Sequence, residues 1–186
     1  LIYMKEKGIV LNEAAVVVVN RDSQNILAIG DEAARMVGRT PSNILAISPL
    51  RTGAIVDFDL VSTMLKAFVS QVVGKHFFAR PRAVMAVPSG VNETERRSLI
   101  STMFDVGMRR TQLIHRSLAA ALGAGLPIDS AYGTLIVDIS AGVTDIGVIS
   151  TDRVLVEDCV KVGGDAFSDA IIRHLRRKHN LYIGER

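Results

Sequence analysis

The stretch Leu135-Ile136-Val137-Asp138-Ile139-Ser140-Ala141-Gly142-Val143-Thr144-Asp145 decides how this sequence is read. An apolar run delivers one carboxylate, Asp138, to the mouth of a hairpin whose tip is built from small residues. Such a tip lets backbone N–H groups approach a phosphate closely, and Thr144 adds a hydroxyl beside them. Magnesium keeps much of its hydration shell, so Asp138 would face such an ion through water. The plainer reading is an ordinary hairpin with a capping Asp, because a short glycine motif is weak evidence alone.

Outward from that hairpin, three strands are expected at Thr134–Val137, Asp145–Ile149 and Val154–Val162, joined by tight turns at Ser140–Gly142 and Ser150–Asp152. Gly163-Gly164-Asp165 then opens a helix over Ala166–His179, with Phe167, Ala170, Ile171 and Leu175 free to pack. Its amide dipoles favour an anion at the start; a simple helix start with Asp165 as N-cap is an equal alternative. Towards the N-terminus, a meander is predicted from strand ends around Lys7-Gly8, the β-branched run Ala14–Val19, and Ile26–Ile29. A short helix, Asp31–Val37, closes at Gly38, and Pro41–Gly53 reads as an extended connection. Asp59 is placed to cap a helix with Leu60, Val61, Met64, Leu65, Phe68, Val69, Val72 and Val73 on one face. Ala83–Val87 is compatible with a buried parallel strand. Asn92 and Glu95 form a capping-box pattern for a helix to Gly107, with Leu99, Ile100, Met103 and Phe104 inward. Gln112–Ile114 and a small-residue helix, Leu118–Leu122, follow. This alternation argues for an α/β layer with a largely parallel sheet, and Tyr132 starts a second lobe of related design.

The chain has 186 residues, 48% of them hydrophobic and 22% charged, enough for a real core and against disorder. No apolar run approaches membrane-span length, and the N-terminus has no signal-peptide pattern. Leu1 stands where an initiator Met would, which implies a start inside a longer gene product. A single cysteine, Cys159, rules out an internal disulfide and suits a cytoplasmic protein. The net charge of +3 is modest and Trp is absent, which speaks against a base-stacking nucleic-acid surface.

Asp138-x-Ser140-x-Gly142-x-Thr144 resembles the second phosphate hairpin of the actin, heat-shock chaperone and sugar-kinase superfamily, whose pattern is Asp-x-Gly-x-Gly-x-Thr. Other segments narrow the resemblance to the MreB family of bacterial actin-like, rod-shape-determining proteins. They include Gly8–Glu13, Gly38-Arg39-Thr40-Pro41-x-Asn43-Ile44, Val56-Asp57-Phe58, Glu95-Arg96-Arg97, Ala119–Pro127, Gly163-Gly164-Asp165 and Leu181–Arg186, in the family's order along essentially the whole chain. The resemblance implies an actin-like, ribonuclease-H-type fold. Subdomain IA, with a small IB insertion at about residues 20–53, would occupy residues 1–130, and IIA would start at 131. It implies ATP with Mg2+, phosphate contacts at Asp138, Ser140, Ala141, Gly142, Val143, Thr144, Gly163, Gly164 and Asp165, and Asp138 as the metal-facing carboxylate. It further implies self-association into filaments, cell-wall elongation proteins as partners, no nucleic acid, and a cytoplasmic place on the inner face of the membrane. The Asn92–Gly107 helix, with Arg96 and Arg97 on its polar side, is a candidate lateral contact.

Two departures matter. The family carries a Glu-Glu-Pro turn whose second Glu positions the attacking water, whereas this chain has His115-Arg116-Ser117 there. A guanidinium stays protonated and cannot act as a base. Ser140 replaces the first hairpin Gly. The resemblance also places the first phosphate loop before Leu1 and the adenine-contacting subdomain after Arg186. The chain alone is therefore not expected to hydrolyse ATP efficiently, and a non-hydrolysing scaffold or regulator is the alternative to an ordinary filament ATPase. A chaperone-type or sugar-kinase enzyme would need a substrate cleft outside this sequence.

Lys75-His76-Phe77-Phe78-Ala79-Arg80-Pro81-Arg82 sets two aromatics among cations, suited to an anionic membrane surface; folding back onto the preceding helix is the bland alternative. The histidines lack metal-ligand spacing. The basic run Arg173–His179 suits a solvated helix C-terminus better than a nucleic-acid patch.

Overall fold

The structure, a computed structural model, describes residues 1–51, 54–74 and 81–184. In chain order the elements are β1 (Ile2–Met4), β2 (Gly8–Leu11), β3 (Val17–Asn20), β4 (Ile26–Ile29), α1 (Asp31–Met36), β5 (Ile44–Ile47), β6 (Leu50–Arg51) and β7 (Ala54–Ile55). Then come α2 (Phe58–Val73), β8 (Arg82–Val87), α3 (Glu93–Asp105), β9 (Arg110–His115), α4 (Arg116–Gly123), β10 (Thr134–Ile139), β11 (Thr144–Ser150), β12 (Arg153–Val160) and α5 (Gly164–His179). They gather into two compact units. The first holds β1 to β5, α1, α2 and α3 from Ser98 onward. The second holds most of β8, the start of α3, most of β9, and α4 through α5.

In the first unit, Val17-Val18-Val19 has no alternating polar residue because β3 is the central strand of an antiparallel sheet, order β4-β3-β5, buried on both faces. Val17 and Val19 pack with Met64 and Phe68 of α2, and Val18 packs with Ala28 and Ala33. Each of the Val, Met and Phe side chains contributes roughly 1.5–3 kcal/mol when fully buried. The segment from Pro41 to Gly53 was expected to be a plain connection, yet it contains β5. Its Pro, Ser and Thr punctuation hides Ile44-Leu45-Ala46-Ile47, which completes the sheet by pairing with β3.

Two helix starts differ from expectation for local reasons. Asp57, not Asp59, caps α2: Phe58 is already helical, and the extended Asp57 accepts the Leu60 N–H at 3.0 Å. At α1 the cap comes from a distance, since Glu13 accepts the Asp31 N–H at 2.6 Å while Asp31 accepts the Ala14 N–H at 3.0 Å. Gly30 there has φ 79°, and a Cβ on it would strike the Glu13 carboxylate.

The capping box of α3 is formed in both directions, Asn92 N–H to Glu95 Oε2 and Glu95 N–H to Asn92 Oδ1, each at 2.9 Å. Leu99 and Met103 are buried as expected. Ile100 and Phe104 are not, at 42% and 62% exposed, because the buried stripe turns through Thr102 instead. In β8, burial alternates along the strand and Val84 is 64% exposed, so it is not covered on both faces.

The second unit is built on an antiparallel meander, β10-β11-β12, with α4 packed against it. β8 and β9, separated in the chain by α3, pair in a two-stranded sheet of their own, and every ladder with a defined register is antiparallel, as expected of the meanders. Tight turns join most of these strands directly, and a parallel pair needs a crossover. Both α4 and α5 start two residues earlier than expected, at Arg116 and Gly164. No residue of α5 is buried, and Phe167 and Ile171 stay about half exposed instead of packing.

Candidate functional site

The β10–β11 hairpin pairs Asp138 with Asp145 and Ile139 with Thr144, and the Ser140 N–H closes the tip on the Val143 carbonyl at 2.9 Å. The N–H groups of Ala141, Gly142 and Val143 make no backbone hydrogen bond among the described residues. Three successive unpaired amides in a small-residue turn are the arrangement that binds an anionic oxygen. Thr144 borders them, but its hydroxyl donates to the Val162 carbonyl at 2.8 Å, leaving only lone pairs.

The carbonyls of the same tip are used on the other side. Gly164 N–H donates to Ser140 O at 3.0 Å and Asp165 N–H to Ala141 O at 2.8 Å. Two orphan amides of the α5 start are thereby satisfied by the hairpin, which binds the two expected phosphate segments into one body. Asp165 is not the N-cap. Gly163 holds that position without a side-chain bond, and Asp165 lies in the first turn.

Arg116 is the first residue of α4, where a cation faces the positive end of the helix dipole. Carboxylates offset that. Its Nη1 lies 3.4 Å from Asp145 Oδ2 and donates to Ser140 Oγ at 3.3 Å, and its Nε lies 4.0 Å from Asp138 Oδ2. Arg116 and Ser140, the two residues read as departures from the family pattern, therefore touch each other. Asp145 is 1% exposed; its Oδ1 accepts the Ser89 N–H at 3.0 Å, while Oδ2 has no hydrogen-bond partner and lies 3.4 Å from the guanidinium. Sequence reasoning missed Asp145 and Ser89 as site residues. The signal for Asp145 was its place opposite Asp138 across a tight turn; Ser89 had none, being 56 residues away.

Helix α4 reaches the sheet because β11 carries Gly147. A Cβ there would lie 2.5 Å from Ser117 Cβ, so Gly147→Ala should push back the turn that carries Arg116. We expect a loss of about 2 kcal/mol in urea unfolding. A loss below about 0.5 kcal/mol would mean that Ser117 moves aside freely.

Cys159 sits opposite Asp145 on β12, with Gly90 nearby. Burial pushes its thiol pKa up and the Asp145 carboxylate adds to this, while the Gly90 backbone and the Arg116 charge pull it down. Iodoacetamide should therefore label Cys159 more slowly near neutral pH than an unfolded control, and Arg116→Gln should slow labelling further. Faster labelling in that variant would contradict the charge assignment.

The expected magnesium would face Asp138 through water, which needs no cluster of protein ligands. Among the described residues no group of three or more Asp, Glu, His or Cys could hold a metal. The negative charge of Asp138 and Asp145 is already faced by Arg116. Phe77 and Phe78, expected to meet a membrane, lie outside the described residues.

A meander whose tip leaves three amides without backbone partners and whose carbonyls dock a helix start is the arrangement expected from the resemblance to actin-like nucleotide-binding proteins. The MreB/Mbl protein family profile matches residues 1–186. The cell shape-determining protein MreB of Escherichia coli K12 is 42% identical over 190 residues, covering 100% of this chain and 55% of that protein. MreB5 of Spiroplasma citri bound to ADP superposes with a TM-score of 0.91 at 33% identity, over 98% of this chain and 55% of that one; a further structure of it holds AMPPNP. The MamK double helical filament, at 18% identity and a TM-score of 0.77 over 97% of this chain and 57% of that one, shares the fold. The chain belongs to the MreB/Mbl family and has the actin-like fold. It spans about half the length of the curated relatives it matches.

Proposed function

We propose that the protein carrying this chain is an actin-like cytoskeletal protein that binds ATP, forms filaments on the inner face of the cell membrane and helps determine rod shape by organising cell-wall synthesis. The observation that carries the nucleotide part is the run of unpaired amides at Ala141–Val143, backed by the docked start of α5. The ADP- and AMPPNP-bound relatives support it. Self-association is supported by the filament-forming structural neighbour, and cell-wall elongation partners by the cell-shape relatives. The Phe77–Phe78 segment among cations supports the membrane placement and the peripheral cytoplasmic location.

One observation favours a second reading, a non-hydrolysing scaffold or regulator of active filaments: Arg116 replaces the water-positioning glutamate and is held by two carboxylates. ATP binding, phosphate release and sedimentation of the full-length protein test both. Binding with polymer and phosphate release supports the filament ATPase. Binding without release supports the scaffold. No nucleotide binding overturns both.

A further inference from the structure

We propose that the C-terminal half of α5 is a docking surface for an acidic segment of a partner protein, whose carboxylates enter a recess walled by Arg173, His174, Arg177 and Lys178. The surface lies at the far end of α5 from the phosphate hairpin, so it stands or falls separately from the nucleotide reading. Ala170 and those four residues line one open concavity on the helix. Positions 170, 173, 174, 177 and 178 follow the three- and four-residue spacing of a single helix face. The small Ala170 therefore forms the floor and the longer side chains form the rim.

The charge of this face is not answered within the chain. Among the described residues Arg173, Arg177 and Lys178 make no ion pair, and Asp169, one turn before Arg173, makes none either. Arg176 is engaged elsewhere, its guanidinium 4.9 Å from the centre of the Tyr182 ring. The helix dipole favours cations in the last turn, which accounts for Arg176 to His179 and not for Arg173. Arg173 and Arg177 are four residues apart, a spacing at which like charges weaken a helix. A carboxylate between them relieves that repulsion and meets paired N–H donors. Phe167 and Ile171, 49% and 57% exposed, stand three residues before Ala170 and His174 and border the same face with apolar surface. A recess rimmed by cations and bordered by apolar side chains suits the projecting side chains of an acidic, partly apolar peptide. A flat lipid surface or a nucleic-acid duplex does not enter such a recess.

The test is fluorescence anisotropy of a labelled peptide in which Glu alternates with Leu, titrated with the full-length protein. The comparison probe is the same peptide with Gln for every Glu. Native protein should bind the Glu peptide about tenfold or more tightly than the Gln peptide. Arg173→Glu with Arg177→Glu should weaken Glu-peptide binding by about tenfold or more, and Arg173→Gln with Arg177→Gln by less. Lys5→Glu with Lys7→Glu makes the same change in net charge on the β1–β2 turn and should leave binding within about threefold of native. A peptide with Lys for Glu should bind the reversed α5 form better than the native one, as direct pairing requires. Unfolding midpoints are read alongside to confirm that each variant is folded. Equal weakening by both charge reversals overturns the proposal, because net charge alone then explains the binding. Native protein that ignores the Glu peptide also overturns it, as does one that binds phosphatidylglycerol vesicles or duplex DNA through Arg173 and Arg177 instead.

Discussion

Replacing Arg116 by glutamate should destabilise this protein by about 3–5 kcal/mol, the range for removing one partner of a buried ion pair. The substitution takes away the only cation facing Asp145 Oδ2 among the described residues. It also brings a third carboxylate towards Asp138 and Asp145. Arg116→Gln should cost less, since it leaves the buried carboxylate unpaired without adding repulsion. Divalent cations should restore part of the stability of Arg116→Glu and none of the native protein's, because only the variant offers three converging carboxylates. Urea unfolding with and without Mg2+ measures both quantities. A loss under about 1 kcal/mol, typical of an exposed pair, would show that Arg116 is incidental to Asp145.

Gly163→Ala should have the next largest effect, about 2–3 kcal/mol, with a parallel loss of nucleotide affinity. The φ of Gly163 is −155°, which any residue adopts, so the cost is not conformational. It is spatial: a Cβ would collide with the Ser140 carbonyl and lie 2.6 Å from Ala141 O and 2.8 Å from Ala141 C. These are backbone atoms of a hairpin tip and cannot rotate away. Accommodating the methyl must lengthen the bonds from Gly164 N–H and Asp165 N–H to the same carbonyls, which pulls α5 from the tip. Denaturant unfolding and ATP titration of the variant should therefore change together. Lost stability with native affinity would separate helix docking from phosphate binding and contradict the single-body description of the site.

Much of the local structure was legible from residue order. The α3 capping box formed as its Asn92 and Glu95 spacing requires, and the apolar face of α2 is buried or half-buried throughout. The strand positions of the meander were found within a few residues. The errors have a common origin. Pairing partners are not written locally, so Ile44–Ile47 was hidden among turn formers until β3 gave it a ladder. Ile100 and Phe104 were assigned inward by composition, yet the rotation of α3 about its axis is set by what it packs on.

The candidate site divides in the same way. By itself the sequence determined the hairpin with its small tip, the glycine-rich start of α5, and the arginine at a position where the family pattern has glutamate. These are properties of consecutive residues, fixed by chain stiffness, side-chain size and charge. Only the tertiary structure decided what that arginine meets. Strand register put Asp145 opposite Asp138, Gly147 let α4 close on the sheet, and Ser89 came 56 positions along the chain to hold the buried carboxylate. The environment of a charge depends on burial and on distances between segments remote in sequence, and those exist only once the chain has folded.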